Sequence, residues 1–120
     1  MWKTVILMSA MILGASMARA GDMAPIKDEG MFLSYLDGRS LTIRMFGLTI
    51  DVAEDGTIGG KAVGRPITGS WSWQDGFFCR EMAWGAREIP YNCQLVEAAG
   101  NEMRFTTDKG AGDSADFRLR

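Results

Sequence analysis

Histidine is absent from all 120 residues, and its absence excludes much of the chemistry that small proteins perform. Without histidine there is no Ser-His-Asp or Cys-His catalytic arrangement, and there is no His-ligated zinc or haem. Cysteine is nearly absent, because the chain has only Cys79 and Cys93. Their spacing is not the Cys-x-x-Cys of redox and zinc motifs. We therefore predict no metal and no cofactor.

Long apolar runs are also lacking, apart from one at the start of the chain. Residues 5–17 are uncharged and largely apolar, but a helix needs about 18 such residues to span a bilayer. One lysine precedes the run, and Ala18 and Ala20 follow it at the −3 and −1 positions of a cleavage site. This pattern is typical of a secretory signal peptide. We predict that residues 1–20 are removed and that residues 21–120 form one periplasmic or secreted domain without a membrane span.

Basic residues are too few to form a binding surface for a negatively charged partner. The full chain carries 13 Lys and Arg against 15 Asp and Glu. Loss of Lys3 and Arg19 with the leader leaves 11 basic residues, so the mature net charge becomes −4. Because no basic stripe or basic amphipathic helix is present, neither nucleic acid nor a membrane surface is a predicted partner.

The two cysteines are predicted to pair. Export places Cys79 and Cys93 in an oxidising compartment, where two cysteines of a small domain usually form a disulfide. A bond that closes a loop of about 15 residues stabilises by ~3 kcal/mol in the chain-entropy model. That is a large share of a total stability of about 5–15 kcal/mol.

Short segments with alternating polarity, separated by glycine, dominate the mature chain. Residues 48–52 (LTIDV) and 70–74 (SWSWQ) alternate strictly, which predicts half-buried strands. The Asp-Gly pairs at 55–56 and 75–76 predict tight hairpins, because glycine tolerates positive φ. We predict seven or eight strands, at about 40–45, 47–53, 57–64, 68–74, 77–84, 91–98, 102–107 and 114–119.

Short links between these strands predict an antiparallel meander. Closure into a small up-and-down barrel would remove the exposed edges, so we predict an all-β barrel, with a two-sheet β-sandwich as the alternative. Residues 28–36 differ, since Asp28 is an N-cap candidate and the apolar residues that follow have helical spacing. We expect a short helix that leads into the sheet or plugs one end of it. Residues 21–27, with Pro25, are predicted to be a loose arm.

Alternation also predicts which side chains face the interior. An eight-stranded barrel can be filled by side chains or hold one small ligand, and the bulk of this set favours a filled interior. The predicted inward residues are Leu41, Ile43, Leu48, Ile50, Val52, Ile58, Trp71, Trp73, Met103, Phe105, Phe117 and Leu119.

Strand 77–84 does not follow this pattern cleanly, because either phase turns a charge inward. Arg80 enters the core with Phe78, Met82 and Trp84, or Glu81 enters it in the other phase. We prefer the first phase, which buries more apolar surface and turns Gln94 and Val96 inward on the next strand. A buried guanidinium needs a carboxylate, backbone carbonyls or an aromatic face.

Arg80 has two possible roles. It could stack on Trp71 or Trp73 and close one barrel end, or it could bind an anion at a barrel mouth. Arg80, Trp71, Trp73 and Trp84 are therefore the candidate binding or barrel-closing residues. No catalytic residue is assigned, because the sequence does not single out any pair of its carboxylates.

Four stretches resemble a known family: residues 36–41 (LDGRSL), 69–80 (GSWSWQDGFFCR), 92–94 (NCQ) and 104–105 (RF). They resemble a family of small exported proteobacterial proteins of unknown function, over most of the mature chain. Some members are labelled dihydrodipicolinate reductase. That label would imply a Gly-x-Gly-x-x-Gly motif, a βαβ unit and a catalytic histidine pair, all of which this sequence lacks. The strand pattern is also similar to lipocalins, avidins and periplasmic protease or lysozyme inhibitors, which is a likeness of architecture and not of function.

Three functions stay open at this point. The first is an exported, non-enzymatic binding or inhibitor-type module that acts through its surface or loops on an unknown protein or small molecule. The second is a small-ligand carrier with a cavity at one barrel end, and the third and most remote is an enzyme. The interior distinguishes the first two, because a cavity of several hundred Å³ favours a carrier and a packed core favours surface recognition.

Overall fold

The computed structural model describes residues 22–120. The predicted signal peptide, residues 1–20, lies outside the described residues. The described part contains nine β-strands and one α-helix. In chain order they are β1 Ala24–Pro25, α1 Glu29–Leu36, β2 Leu41–Ile43, β3 Leu48–Val52, β4 Thr57–Ala62, β5 Arg65–Gln74, β6 Phe77–Trp84, β7 Arg87–Ala99, β8 Glu102–Thr106 and β9 Ser114–Leu119.

Strands β2 to β9 form a closed antiparallel barrel. Each strand pairs with the next in the chain, and β9 returns to pair with β2 through Leu41 opposite Leu119 and Thr42 opposite Arg118. Closure leaves the eight-stranded ring without a free edge, which is the physical reason for preferring a barrel. The predicted up-and-down barrel is confirmed, and the β-sandwich alternative is wrong.

The hairpin between β5 and β6 shows how local sequence sets the meander. Asp75 and Gly76 both have positive φ, at 51° and 89°. Positive φ at both central residues is what a type I′ turn requires, and the twist of that turn matches paired antiparallel strands. The hairpin predicted from the Asp-Gly pair at 75–76 is confirmed.

Helix α1 plugs one end of the barrel, which was one of its two predicted roles. Asp28 caps it, since Oδ1 of Asp28 accepts a hydrogen bond of 2.8 Å from the N–H of Met31. Phe32 points from the helix into the barrel and is fully buried. Its ring packs against the rings of Trp71, Trp73, Phe78 and Phe105, with centroid distances from 5.2 to 6.3 Å.

Part of the predicted loose arm is packed against the sheet instead. Ala24 and Pro25 pair with Ala98 and Glu97 of β7. Ile26 follows them, is buried, and donates its N–H to the carbonyl of Val96. The reason is the length of β7, which has 13 residues and whose register with β6 ends at Gln94. The arm provides backbone hydrogen-bond partners for the part of β7 beyond Gln94.

Strand β7 begins earlier than predicted, at Arg87 instead of residue 91. Pro90 lies inside the strand, although proline cannot donate to a sheet. The register between β6 and β7 shifts by one residue between Arg80 and Met82, opposite this proline. Proline is accepted in strands at such bulges, and this bulge contributes to the candidate site.

Among the described residues, no helix is both long enough and apolar enough to cross a lipid bilayer.

Candidate functional site

A cavity of about 280 Å³ lies inside the barrel, lined by residues of β2–β4, β6–β9 and the loop between β8 and β9, and by none of helix α1. We call it the barrel cavity. Its walls are mostly apolar, with Arg80 and Gln94 as the buried polar residues, and Thr107, Asp113 and Ser114 border its entrance. The prediction of a filled interior is therefore wrong in part. The aromatic cluster around Phe32 fills the plugged end, but the inward side chains of β2 to β4 are aliphatic and do not reach across the remaining width.

Arg80 faces the barrel cavity in the phase preferred from the sequence. Its side chain is 7% exposed, whereas Glu81 is exposed on the outer face. Arg80 is on β6, directly opposite Trp71 of β5. Its Nη1 donates a hydrogen bond of 2.7 Å to the carbonyl of Pro90. The bulge at Pro90 explains this contact, because a bulged residue leaves the regular ladder and its carbonyl is available to a side chain.

The guanidinium remains charged despite its surroundings. Burial lowers the pKa of the Arg80 guanidinium below its ordinary value. An arginine stays protonated in proteins all the same, so the cavity contains a cation near neutral pH. The ion pair found in the described part of the chain lies elsewhere, between Arg104 and Asp116 at 2.7 Å. No carboxylate of residues 22–120 lies within 4 Å of the Arg80 guanidinium.

Gln94 adds a second polar group to the same wall. It lies on β7 opposite Phe78 of β6, and its side chain is 8% exposed. Phe78 and Arg80 are two residues apart on β6, so Gln94 and Arg80 are diagonal neighbours on the inner face. Within residues 22–120 the Gln94 side chain forms no hydrogen bond that would satisfy its amide.

The opposite wall of the barrel cavity is apolar. In a ring of eight consecutive strands, β2 lies across from β6 and β3 lies across from β7. Leu41 of β2 and Ile50 and Val52 of β3 line the cavity there. The site thus has a polar wall with one cation facing a hydrocarbon wall, an arrangement that suits a ligand with a polar head and an apolar body.

The entrance is formed by the loop between β8 and β9. Thr107 closes this loop, because its N–H and Oγ1 both donate to the carbonyl of Asp113, and Oγ1 accepts from the N–H of Asp113. Asn92 of β7 holds the loop from the side through hydrogen bonds of 2.8 and 2.9 Å to Asp108. These contacts give the cavity a defined border.

The disulfide fixes the two strands that carry the polar wall. Cys79 and Cys93 are bonded, as predicted, and lie directly opposite each other on β6 and β7. Each cysteine is next in sequence to one of the two polar residues, Arg80 and Gln94. The bond therefore restrains the relative position of these two side chains.

Of the four candidate residues, only Arg80 lines the barrel cavity. Trp71 belongs to the cluster at the plugged end and donates its indole N–H to the carbonyl of Ala53 at 2.8 Å. Trp73 stacks on Phe32 in that cluster. Trp84 bonds the carbonyl of Ala62 at 2.8 Å, with Arg65 over its ring. The three tryptophans thus close and brace the barrel.

Sequence reasoning missed the entrance residues. Thr107 and Ser114 are the last and first residues of two predicted strands, and Asp113 lies in the loop between them, but no pattern marked any of the three as lining a cavity. Gln94 was placed inward by parity, but nothing indicated that its amide would lack a partner.

Residues 22–120 contain no group of three or more Cys, Asp or Glu side chains placed to hold a metal ion. Comparisons with protein-family models, curated proteins and solved structures find no match for this chain. The resemblance to a family of exported proteins therefore stays a prediction.

Proposed function

We propose that this protein is an exported binding protein that carries a small molecule in the barrel cavity. The single observation behind the proposal is a cavity of about 280 Å³ in a barrel that is plugged at the other end. Ligand pockets have volumes of about 300–1,000 Å³. This one is near the lower limit, so its ligand is small.

The architecture supports a rigid site. Arg80 and Gln94 project from strands that the Cys79–Cys93 bond ties together, and Phe32 packs against Phe78, which lines the cavity. Groups held in place before binding lose little freedom when a ligand arrives, which favours affinity in a small pocket.

The proposed location is the periplasm or the extracellular space. The disulfide supports it, because such bonds persist in oxidising compartments and are rare in the cytosol. The leader-like pattern of residues 1–20 is the second argument.

The carrier function is tested by titrating the mature protein with 3-phenylpropionate and its neutral isostere 3-phenylpropionamide, up to millimolar concentration. We expect at least one of them to shift the backbone amide NMR signals of residues that line the barrel cavity. Ala115 lines the entrance and is exposed, so Ala115→Trp should block access and abolish the shifts.

The matched control is Ser72→Trp, which adds the same bulk to the exposed outer face of β5 and should leave binding unchanged. If neither compound binds the wild-type protein, or if Ala115→Trp binds as well as wild type, the carrier function is refuted.

A second candidate is recognition of another protein through the loops at the cavity end. The observation in its favour is a set of exposed apolar side chains at two neighbouring turns: Met45 (84% exposed), Phe46 and Val63. Because β3 pairs with β4, these turns lie at the same end of the barrel. Single exposed apolar residues are common, but a group of them indicates an interaction site.

This candidate is tested by affinity capture from periplasmic extract, followed by mass spectrometry of proteins and small molecules. We expect a partner retained by the wild type to be lost with the double variant Met45→Ser and Phe46→Ser. Retention of the same proteins by that variant would exclude recognition through this surface.

A further inference from the structure

The Arg80 guanidinium is a buried cation that the protein compensates only in part. It carries five N–H donors in a planar fork. Among residues 22–120 its hydrogen-bond acceptor is the carbonyl of Pro90, and no carboxylate of those residues lies within 4 Å. An unpaired charge in an apolar interior is costly. The remaining donors are therefore left for whatever occupies the barrel cavity.

The shape of this donor set favours a carboxylate. A guanidinium binds the two oxygens of a carboxylate through parallel N–H bonds, and such charge-assisted bonds are about twice as strong as neutral ones. Gln94, the diagonal neighbour of Arg80 on the same wall, has an amide that can donate one further bond.

The charge balance favours one negative charge over two. Arg80 and Asp113 are the ionisable residues that line the barrel cavity in the described part of the chain. Arg80 neutralises one ligand charge, and Asp113 at the entrance repels a second. A dianion such as a phosphate monoester would leave one charge uncompensated in a mostly apolar site.

The rest of the cavity sets the body of the ligand. Leu41, Ile50 and Val52 face the polar wall from across the barrel. Hydrocarbon placed against these side chains is removed from water, which favours an apolar body for the ligand.

On these grounds we propose that the barrel cavity binds a small organic monocarboxylate, with its carboxylate on Arg80 and Gln94 and its apolar body against β2 and β3. The inference rests on the carrier function proposed above and adds the class of ligand. It makes Arg80 the residue that determines specificity.

The test compares two ligands of equal shape, 3-phenylpropionate and 3-phenylpropionamide, by calorimetric or NMR titration at pH 7. We expect the wild type to bind the carboxylate about 10- to 100-fold more tightly than the amide, as a charge-assisted pair predicts. Arg80→Met replaces the guanidinium by an apolar side chain of similar length. It should remove this preference, because the acid and the amide then meet the same uncharged wall.

Two further variants keep the test informative if Arg80→Met does not fold. Arg80→Lys keeps the charge without the fork and should retain only part of the preference. Gln94→Leu should weaken carboxylate binding about three- to tenfold, with the amide less affected.

The outcomes separate the two proposals. Equal binding of acid and amide by the wild type leaves the carrier function standing and overturns the carboxylate inference, as does a preference that survives in Arg80→Met. Tighter binding of the phosphate monoester 2-phenylethyl phosphate, which is mostly a dianion at pH 7, than of the carboxylate also overturns the inference. Binding of neither isostere refutes the carrier function itself.

Discussion

Replacement of Phe32 by alanine tests the idea that one helical side chain holds the plugged end of the barrel. Phe32 is fully buried, and its ring contacts the rings of Trp71, Trp73, Phe78 and Phe105. No other side chain of α1 occupies this position, because Leu36, the other buried residue of the helix, lies one turn later. The substitution would remove the centre of the cluster and leave a void under the helix.

The magnitude follows from the area that the ring buries. A buried aromatic side chain removes about 150–250 Å² from water, worth roughly 4–6 kcal/mol at 25 cal/mol per Å². The unfolded chain already buries about 10–40% of such area, which lowers the figure to roughly 2.5–5 kcal/mol. Measured Phe→Ala substitutions in cores cost about 3–5 kcal/mol. We expect Phe32→Ala to lower the free energy of unfolding by about 3–5 kcal/mol.

The assay is equilibrium unfolding in urea with the disulfide intact. Far-UV circular dichroism is the better probe, because Trp71 and Trp73 contact the substituted ring and their fluorescence would change for local reasons. The control is Met31→Ala, on the same helix but 43% exposed, which should cost less than about 1 kcal/mol. A loss below 1 kcal/mol for Phe32→Ala, or one no larger than that of the control, would refute the assigned role of the plug.

Three further predictions follow from single features. Cys79→Ala should lower the free energy of unfolding by about 2–5 kcal/mol, since the disulfide spans 14 positions of sequence, and a loss under half a kcal/mol by urea titration would contradict this. Intact mass of the exported protein should show a chain that begins at Gly21, whereas a persistent full-length species in the membrane fraction would count against processing. The hydrogen bond from Arg104 lowers the pKa of Asp116 below its ordinary 3.8. Asp116→Asn should therefore cost less than about 1 kcal/mol at pH 7, because the pair is exposed, and this cost should vanish as the pH falls below 3.8 through the folded-state pKa. A difference between Asp116→Asn and wild type that grows on acidification would contradict the assignment.

Local patterns in the sequence account for the elements and their order. Strict alternation at 48–52 and 70–74 predicted strands there, because side chains alternate between faces of a sheet. The Asp75-Gly76 pair predicted a hairpin, and both residues have the positive φ that the turn needs. Asp28 predicted the start of the helix because a carboxylate satisfies free N–H groups at its first turn. These features depend on neighbours in sequence.

The sequence also indicated which strand departs from simple alternation of apolar and polar residues. Strand 77–84 turns a charge inward in either phase, and the structure has Arg80 inside and Glu81 outside. Parity together with the apolar surface of Phe78 and Met82 favoured this phase but left Glu81 as the alternative. The partner of Arg80 could not be predicted, because the carbonyl of Pro90 becomes available only through a bulge in the neighbouring strand.

What the sequence determined by itself is the series of antiparallel strands, the short helix and the disulfide pair, since each follows from residue periodicity, turn chemistry, capping or cysteine number. The tertiary structure decided between a barrel and a β-sandwich, and between Arg80 and Glu81 as the inward charge, because both depend on strands that are distant in sequence. Only the tertiary structure decided how far the interior is filled. That depends on the separation of opposite strands, which is set by the number and tilt of all eight and not by any one segment. The cavity, with the unpaired amide of Gln94 on its wall, exists because the aliphatic side chains of β2 and β3 do not reach across the barrel to β6 and β7. Its entrance lies where the loop between β8 and β9 is held against Asn92 of β7.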